Sequence, residues 1–215
     1  MLRPIHAEIL RRALGQSFSP PAMQVIIHAS VGQDAFWTGQ IGHDEYHFDN
    51  NAFEKSRTFI ADQRALIAPS LENGHVKTAW QAFGRLTHTA QDFYAHSNYV
   101  DLWLSCQPDG MKPAPAEIDP LDDGLIESPA LRSGKLYYPL EALAFVRPLK
   151  KLVIPLLPHD SHAWMNIDSA ERGPLFDYVL QAAIKRTRHE FDITTRTFAA
   201  GLLALFQDFR PKHAS

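Results

Sequence analysis

The chain has 215 residues, of which 45% are hydrophobic and 21% are charged, and its formal net charge is −3. These values are typical of a soluble globular protein with one sizeable core, and the slightly acidic balance gives no overall electrostatic reason to expect a nucleic-acid partner. The single cysteine, Cys106, excludes an internal disulfide framework and fits a reducing compartment.

No run of residues approaches the ~18 apolar residues that indicate a membrane-spanning helix. Charges interrupt the first 16 residues every few positions, which is unlike a secretory signal. A cytoplasmic location is therefore expected, with signal-less export left open. The segment LKKLVIPLLP, residues 149–158, is short and broken by proline, so burial is favoured over contact with a bilayer surface.

Helical spacing of apolar residues predicts a first helix within residues 4–14, and Ser19 followed by Pro20 predicts the start of a second helix within residues 19–30. Residues 31–51 are punctuated by glycine and are interpreted as a long loop, a feature that is usually functional or disordered. Asn51 and Glu54 resemble a capping box for a helix through residues 52–71.

A long apolar helix is predicted from about Val76 to about Ser105. Residues 107–139 are rich in proline and acids and are predicted to be an excursion without regular structure. Residues 173–209 trace an apolar face at helical spacing, and no strand pattern is sustained anywhere. The sequence therefore predicts an all-α fold with a single domain over residues 1–215.

Within the long helix, His88, Asp92 and His96 follow one another at intervals of four residues. Four residues turn a helix by ~400°, so the three side chains share one face. The two histidines would lie ~12 Å apart along the axis, whereas zinc holds its ligands at ~2.0–2.1 Å. The spacing therefore favours two or more metal ions with Asp92 between them. The alternative is that the three groups pair with neighbours, because burying them without any partner is costly.

Further histidines and carboxylates could join this row, although each alone is more often structural than a ligand. They are His6, Asp34, His47, Asp49, His162 and Asp168. A mixed set of histidines and carboxylates suits zinc or another borderline divalent ion. The segment HDEYH, residues 43–47, looks like the metalloprotease motif HExxH, but it has Asp in place of Glu and lies on no long apolar helix, so a protease is disfavoured.

The segment HTAQDFYAHSNY, residues 88–99, resembles the helix of HET-C-like (heterokaryon incompatibility C) proteins, which look like relatives of zinc-dependent phospholipases C and single-strand-specific zinc nucleases. The segments IHAEILRRAL, GQDAFW, YHFDN and SHAWMNIDS occur in that family's order. The resemblance covers most of residues 5–200 outside the proline-rich excursion. It implies a single-domain helical bundle of the phospholipase C and nuclease type, with long irregular loops and two or three zinc ions.

By position, the resemblance implies that Asp34, His47, His88 and Asp92 form a first metal site. It also implies that Asp92 bridges to a second site that includes His6. The secreted phospholipases C use their N-terminal residue as a ligand in addition. Here residue 1 lies five positions before His6, so the second site is expected to be incomplete.

The same resemblance implies that His96 and His162 hold a third ion. The family's acid, four residues after the last ligand histidine, corresponds to Asn166 in this sequence. Asp168, two residues later, is taken as the carboxylate of this site.

The function implied is hydrolysis of a phosphodiester, in which close metals would activate water and clamp phosphoryl oxygens while Asp34 or Asp92 acts as general base. Phospholipid is favoured over single-stranded nucleic acid because no basic stripe flanks the ligands. The aromatic residues within 93–104 could admit acyl chains, although core packing is expected for most. A peripheral membrane contact is left open, and protein partners are unknown. The other alternative is a non-enzymatic, metal-stabilised module in cell-death or self-recognition signalling.

Overall fold

The computed structural model describes residues 1–35, 42–108, 111–144 and 147–208, and helices dominate them. The α-helices of these residues are α1 Arg3–Leu14, α2 Pro20–Gly32, α3 Asp44–His47, α4 Phe53–Ala65, α5 Ile67–Glu72, α6 Val76–His96, α7 Tyr99–Ser105, α8 Asp123–Ile126, α9 Leu140–Ala144, α10 Arg147–Val153, α11 His162–Met165, α12 Phe176–Thr195 and α13 Ala200–Gln207. Short 3-10 turns lie at Asp49–Asn51, Pro115–Glu117, Ile154–Leu156 and Ala170–Arg172. These residues include two isolated β-bridges and no strand, so the prediction of an all-α fold is confirmed.

The central element is α6, against which α2, α4, α5 and α12 pack. Its first turns bury only part of their surface, whereas every residue from Leu86 to His96 is buried. A helix that is buried all round lies in the core of its protein rather than at the surface. The row of polar groups on α6 is therefore enclosed by other helices.

Gly84 allows α2 to approach α6 closely. A Cβ atom at this position would lie 2.3 Å from the carbonyl oxygen of Ile26 and 2.9 Å from the Cβ of Ala29. Any larger residue would force the two helices apart. Because Gly84 lies one turn before His88, this close packing brings the C-terminal end of α2 to the polar part of α6.

The predicted helix from Val76 to Ser105 is wrong in its last third, because the helix ends at His96. Ser97 is extended, with φ −116° and ψ 168°, and α7 begins at Tyr99. The amide of Gly134 donates to the carbonyl oxygen of His96, and the amide of Asn98 donates to the carbonyl oxygen of Arg132. These hydrogen bonds to distant residues replace those of a continuing helix.

The capping box is also wrong. Ala52 occupies the N-cap position of α4, and the side-chain oxygen of Asn51 instead accepts a hydrogen bond of 2.7 Å from the amide of Ser133. The helix expected through residues 52–71 is divided at Leu66 into α4 and α5. The side chain that the local pattern assigned to capping makes a tertiary hydrogen bond instead.

The excursion contains more structure than its composition predicted. Within the described part of residues 107–139 lie one 3-10 turn and α8, and Ile118 and Leu125 are buried in the core. The hydroxyl groups of Tyr94 and Tyr99 donate to the carbonyl oxygens of Pro120 and Asp119. The segment is thus irregular but firmly attached to α6 and α7.

Two further expectations about apolar residues are corrected. In the segment 149–158, Val153 and Leu157 are buried, but Leu152 and Leu156 are 71% and 70% exposed. The terminal apolar pattern is divided between α12 and α13, where Phe206 is buried and Leu205 is exposed. Among the described residues, no helix has both the length and the apolar character that crossing a bilayer requires.

Candidate metal centre

The carboxylate of Asp92 is the centre of the site. Its side chain is fully buried, and its two oxygens face different histidines. Oδ2 lies 2.9 Å from His47 Nδ1 and 3.1 Å from His88 Nε2. Oδ1 lies 3.3 Å from His6 Nε2 and 3.8 Å from His96 Nε2. The structure therefore places Asp92 between the two histidines of its own helix, while its role as a bridging metal ligand stays a prediction.

The residues expected to form the first metal site lie together at Asp92 Oδ2. His47 Nδ1 and His88 Nε2 are 3.2 Å apart and form a triangle with this oxygen. Ligand atoms of a tetrahedral zinc ion, each ~2.1 Å from the metal, lie about 3.4 Å from one another, so the triangle is close to one face of such a site. Asp34 Oδ1, which lies 3.8 Å from His88 Nε2, adds a second carboxylate.

A chain of hydrogen bonds determines which nitrogen of His6 faces Asp92. Thr187 Oγ1 lies 2.7 Å from the carbonyl oxygen of Ala183, which can only accept, so the hydroxyl proton points there. The amide nitrogen of Gln91 then donates to Thr187 Oγ1 over 3.0 Å, which turns Gln91 Oε1 towards His6 Nδ1 at 2.7 Å. Because an amide oxygen accepts, His6 Nδ1 donates, and the lone pair of the neutral ring is on Nε2. That lone pair faces the carboxylate of Asp92, so a proton or a metal ion is needed between them.

Three buried polar atoms of this group have no hydrogen-bond partner within the described residues. They are His6 Nε2, Asp34 Oδ2 and His88 Nδ1. A buried polar atom without a partner costs ~1–3 kcal/mol. One ligand atom from each of four side chains, His6, Asp34, His88 and Asp92, lies within 4.8 Å of all the others. An ion beside Asp34 and Asp92 would satisfy His6 Nε2 and Asp34 Oδ2, so the residues fit a divalent ion better than they fit a self-contained hydrogen-bond network.

His96 presents one nitrogen to the backbone and the other to two carboxylates. Nδ1 lies 2.9 Å from the carbonyl oxygen of His47 and therefore donates to it. The lone pair of the neutral ring is then on Nε2, which lies 3.2 Å from Asp168 Oδ1 and 3.8 Å from Asp92 Oδ1. Through Nε2, His96 can share a cation with both carboxylates.

Asp49 lies on the other side of His96. Its Oδ1 is 3.0 Å from His162 Nδ1 and 3.3 Å from His96 Nδ1, and the three side chains have the spacing of a second metal group. Because His96 Nδ1 donates to a carbonyl oxygen, its lone pair does not point into this group. We therefore interpret Asp49 as an acceptor that orients two imidazoles rather than as a ligand. The resemblance had assigned Asp49 to no site.

The structure separates the two candidate acids after His162. The side-chain amide nitrogen of Asn166 lies 2.8 Å from His162 Nε2, whereas Asp168 Oδ1 contacts His96. Of these two positions, the carboxylate at 168 joins the polar cluster and position 166 contributes an amide beside His162. The rings of His96 and His162 are 5.0 Å apart between centroids, so these two members of the predicted third site lie together, while their role as ligands stays a prediction.

The ammonium group of Met1 lies within the same cluster, at the place where an incomplete second site was expected. It is 2.7 Å from Asp92 Oδ1, 2.9 Å from His96 Nε2 and 3.1 Å from Asp168 Oδ1. Burial disfavours the charged amine, but the carboxylates of Asp168 and Asp92 outweigh burial and raise its pKa to about 11. This part of the site therefore attracts positive charge.

The carboxylates of the site are ionised, and protonated nitrogen atoms around them balance their charge. Burial would raise the pKa of Asp92, but the Met1 ammonium and the surrounding histidines hold it well below its ordinary value. Burial and the Met1 ammonium lower the pKa of His96, yet the nearby carboxylates raise it to about 10. Burial lowers the pKa of His88 to about 3, so this ring is neutral at pH 7. Metal binding at such a site displaces protons.

The cluster opens to solvent on one side. The side chains of His6, His88 and Asp92 are completely buried, whereas that of Asp168 is 31% exposed and that of His162 is 15% exposed. Both exposed residues belong to α11 or to the loop that follows it. A small molecule would therefore reach the cluster from the side of α11.

The turn that carries His47 and Asp49 adopts a backbone that few side chains prefer. Phe48, Asn50 and Asn51 all have positive φ values, between 53° and 61°. Asparagine tolerates this region, and Phe48 is held there by burial against other aromatic rings. The turn is further fixed by residues 133–136, whose amides and carbonyl oxygens pair with Asn50 and Asn51.

The aromatic residues proposed as an approach for acyl chains are part of the core. Phe93, Tyr94, Tyr99 and Trp103 are at most 7% exposed. The first three pack against one another, and Trp103 packs against Tyr178. Their burial supports the alternative of core packing. Core packing, which was expected for most of these residues, is confirmed for these four.

These observations define an all-α protein whose central helix carries a buried cluster of histidines and carboxylates. The family model of the VWA7 N-terminal domain matches residues 6–113, half of the chain, and the chain belongs to that family. The matched residues include six of the eight predicted ligands; His162 and Asp168 lie beyond them. Neither the curated proteins nor the solved structures that were compared with the chain include a match.

The resemblance to the HET-C family is wrong, because the matching family model is a different one. The assignment of the bundle to the phospholipase C and nuclease type depended on that resemblance and falls with it. The resemblance depended on segments of five to twelve residues around histidines and acids. A helix with a buried His/Asp row shows such segments whichever family it belongs to.

Proposed function

We propose that the chain binds divalent metal ions, best suited to zinc, around Asp92 and that it hydrolyses phosphodiester bonds with them. The observation that supports this most directly is the convergence of four histidines on the two oxygens of one fully buried carboxylate. Mixed imidazole and carboxylate sets suit zinc and similar ions. An ion pair needs only one histidine, so four imidazoles around one carboxylate favour a metal site.

The side chains divide into two groups in this proposal. His47 Nδ1, His88 Nε2, Asp92 Oδ2 and Asp34 would hold one ion. On the opposite side of the carboxylate, Asp92 Oδ1 would share further ions with His6 Nε2 and with His96 Nε2, and Asp168 would complete the latter position. The Met1 ammonium lies at this latter position in the structure, so an ion bound there would have to displace it. His162, oriented by Asp49, lies at the outer edge of this second group.

When bound, the ions would supply an acidified water and would neutralise phosphoryl oxygens. The protein would supply the general base, for which Asp34 is better placed than Asp92. Both oxygens of Asp92 already face histidines, whereas Asp34 Oδ2 has no hydrogen-bond partner within the described residues. An acceptor of this kind can take the proton of an attacking water.

For the substrate, we propose a phospholipid ahead of single-stranded nucleic acid. A nuclease needs cations that contact several phosphates, and the described residues of the cluster include no lysine or arginine. The exposed Leu152 and Leu156 offer an apolar surface instead. Peripheral contact with a membrane fits this choice.

The test combines metal content with activity. We expect two or three equivalents of zinc in the purified protein and hydrolysis of bis(p-nitrophenyl) phosphate, a generic phosphodiester. Asp92→Asn should lose zinc and activity together, while Asp177→Asn, at an exposed position of α12, should lose neither. Phospholipid vesicles and single-stranded DNA then distinguish the two substrates. An active Asp92→Asn variant, or wild-type protein that binds no added zinc, would refute the proposal.

The near-complete burial of His6, His88 and Asp92 also favours a second candidate, in which the metal is structural. A structural zinc is saturated by protein ligands, whereas a catalytic one keeps a position for water. Stoichiometric zinc that raises the melting temperature, with no hydrolysis of any phosphodiester, would assign the site this role.

A further inference from the structure

Several exposed apolar side chains lie within the described residues 138–164, on short helices that pack against one another. We call this the α9–α10 surface and define it by Leu143, Leu149, Leu152, Leu156 and Trp164, each of which is at least 36% exposed. Single exposed apolar residues are normal on soluble proteins, but contiguous groups of them mark interaction sites. The clustering therefore needs an explanation.

Leu152 and Leu156 belong to a segment that packs against the rest of the protein through its other apolar residues. Val153 and Leu157 of the same segment are buried, so the chain is attached to the body of the protein with Leu152 and Leu156 facing away. The indole nitrogen of Trp164 donates to the carbonyl oxygens of Ile154 and Leu157, at 3.0 Å and 3.2 Å. The exposure is thus a property of the folded arrangement.

The charge of the segment indicates what the surface binds. Residues 138–164 have three basic residues, at positions 147, 150 and 151, against two acids, Glu141, which is buried, and Asp160, although the whole chain has a net charge of −3. Lys151 is exposed. Leucine, tryptophan and lysine together are typical of helices that lie at the surface of an anionic bilayer.

The α9–α10 surface adjoins the open side of the metal centre. The carboxylate of Glu141, on α9, accepts a hydrogen bond of 2.7 Å from the amide of Ala163, the residue after His162. Trp164 lies on the same short helix. A bilayer on this surface would therefore face the side of the cluster where His162 and Asp168 are exposed.

We propose that the α9–α10 surface binds peripherally to an anionic phospholipid bilayer, with its leucines and Trp164 in the interfacial region. The membrane binding depends on no metal. The further statement that this bilayer contains the substrate rests on the proposed function.

The test is co-sedimentation with vesicles of phosphatidylcholine, with and without phosphatidylserine. Wild-type protein should bind the anionic vesicles more strongly, and salt should weaken the binding. The double variant Leu152→Ser/Leu156→Ser should partition at least roughly tenfold less, since both side chains leave water on binding. Leu205→Ser, at a 41% exposed position on α13, is the matched control and should bind like wild type. Circular dichroism of each variant monitors folding.

Three outcomes would overturn the proposal. They are absence of binding to anionic vesicles, equal binding by the folded double variant, and a concentration-dependent dimer that the double variant abolishes, which would assign the surface to a second copy of this chain. Asp92→Asn separates the two proposals, because it should lose hydrolysis but keep vesicle binding. Vesicle binding without any hydrolysis would leave this inference standing while the proposed function fails.

Discussion

Replacing Gln91 with leucine removes the side-chain oxygen that lies 2.7 Å from His6 Nδ1 and leaves the volume of the side chain almost unchanged. The proton of Nδ1 then has no acceptor, and His6 can change tautomer and present a protonated Nε2 to Asp92. Loss of such an outer hydrogen bond typically costs ~10–100-fold in metal affinity. This corresponds to about 1.4–2.8 kcal/mol of binding free energy.

Two companion substitutions separate the tautomer from simple destabilisation. Gln91→Glu retains an acceptor for His6 Nδ1, so we expect it to bind zinc at least as tightly as wild type. Thr187→Val removes the hydroxyl that orients the amide of Gln91, and we expect an intermediate loss. Thr87→Val is the matched control, because Thr87 is also buried and bonded only to carbonyl oxygens of its own helix.

Zinc affinity would be measured by competition with a chromophoric chelator, and the free energy of unfolding of each metal-free variant by urea denaturation. We expect zinc affinity to follow the presence of an acceptor at position 91 and not the stability of the variant. A Gln91→Leu protein with wild-type affinity would refute it. So would a Gln91→Glu protein as weak as Gln91→Leu.

Three other predictions follow from the same structure. Asp92→Asn should lower the number of bound zinc ions by at least one equivalent, checked by elemental analysis; unchanged content would remove Asp92 from the ligand set. When the free zinc concentration is ~100 times the dissociation constant, binding adds about 2.7 kcal/mol to the free energy of unfolding. Removing the zinc with a chelator should therefore lower the melting temperature, measured by calorimetry, by roughly 5–11 °C for a chain of this size; an unchanged melting temperature would contradict tight binding. Burial would raise the pKa of Glu190, but Arg186 and Arg64 lower it below its ordinary value of 4.5, so this carboxylate stabilises the fold above that pH and progressively less as the pH falls. Glu190→Gln should therefore lose about 3 kcal/mol in urea unfolding at pH 7, and the difference from wild type should shrink towards pH 3; a constant difference would exclude the ion pairs as its cause.

Local patterns predicted the helices well where neighbouring residues decide them. The starts of α2 and α6 follow from the proline after Ser19 and from the apolar run after His75. The ends were less predictable, because the break after His96 depends on amides and carbonyl oxygens of residues 132–134, far away in sequence. Asn51 illustrates the same limit, since its side chain bonds to Ser133 instead of capping α4.

The polar residues of the site could be predicted as a set, but their individual partners could not. The interval of four on α6 places His88, Asp92 and His96 on one face in any helix. By contrast, Gln91 reaches Thr187 across 96 positions, and no local pattern distinguishes it from an ordinary polar residue of α6. The sequence identified Asp49 as a candidate, but only the fold shows its contact with His162.

The contact at Gly84 has a consequence for how this site can vary. The distance of 3.8 Å between Asp34 and His88 depends on how closely two helices approach one turn away, and that approach is permitted by a missing methyl group. A substitution at position 84 would alter the metal centre without touching any residue that faces it. The smallest residue of α6 thus sets the distance between the carboxylate of Asp34 and the row of polar groups on α6.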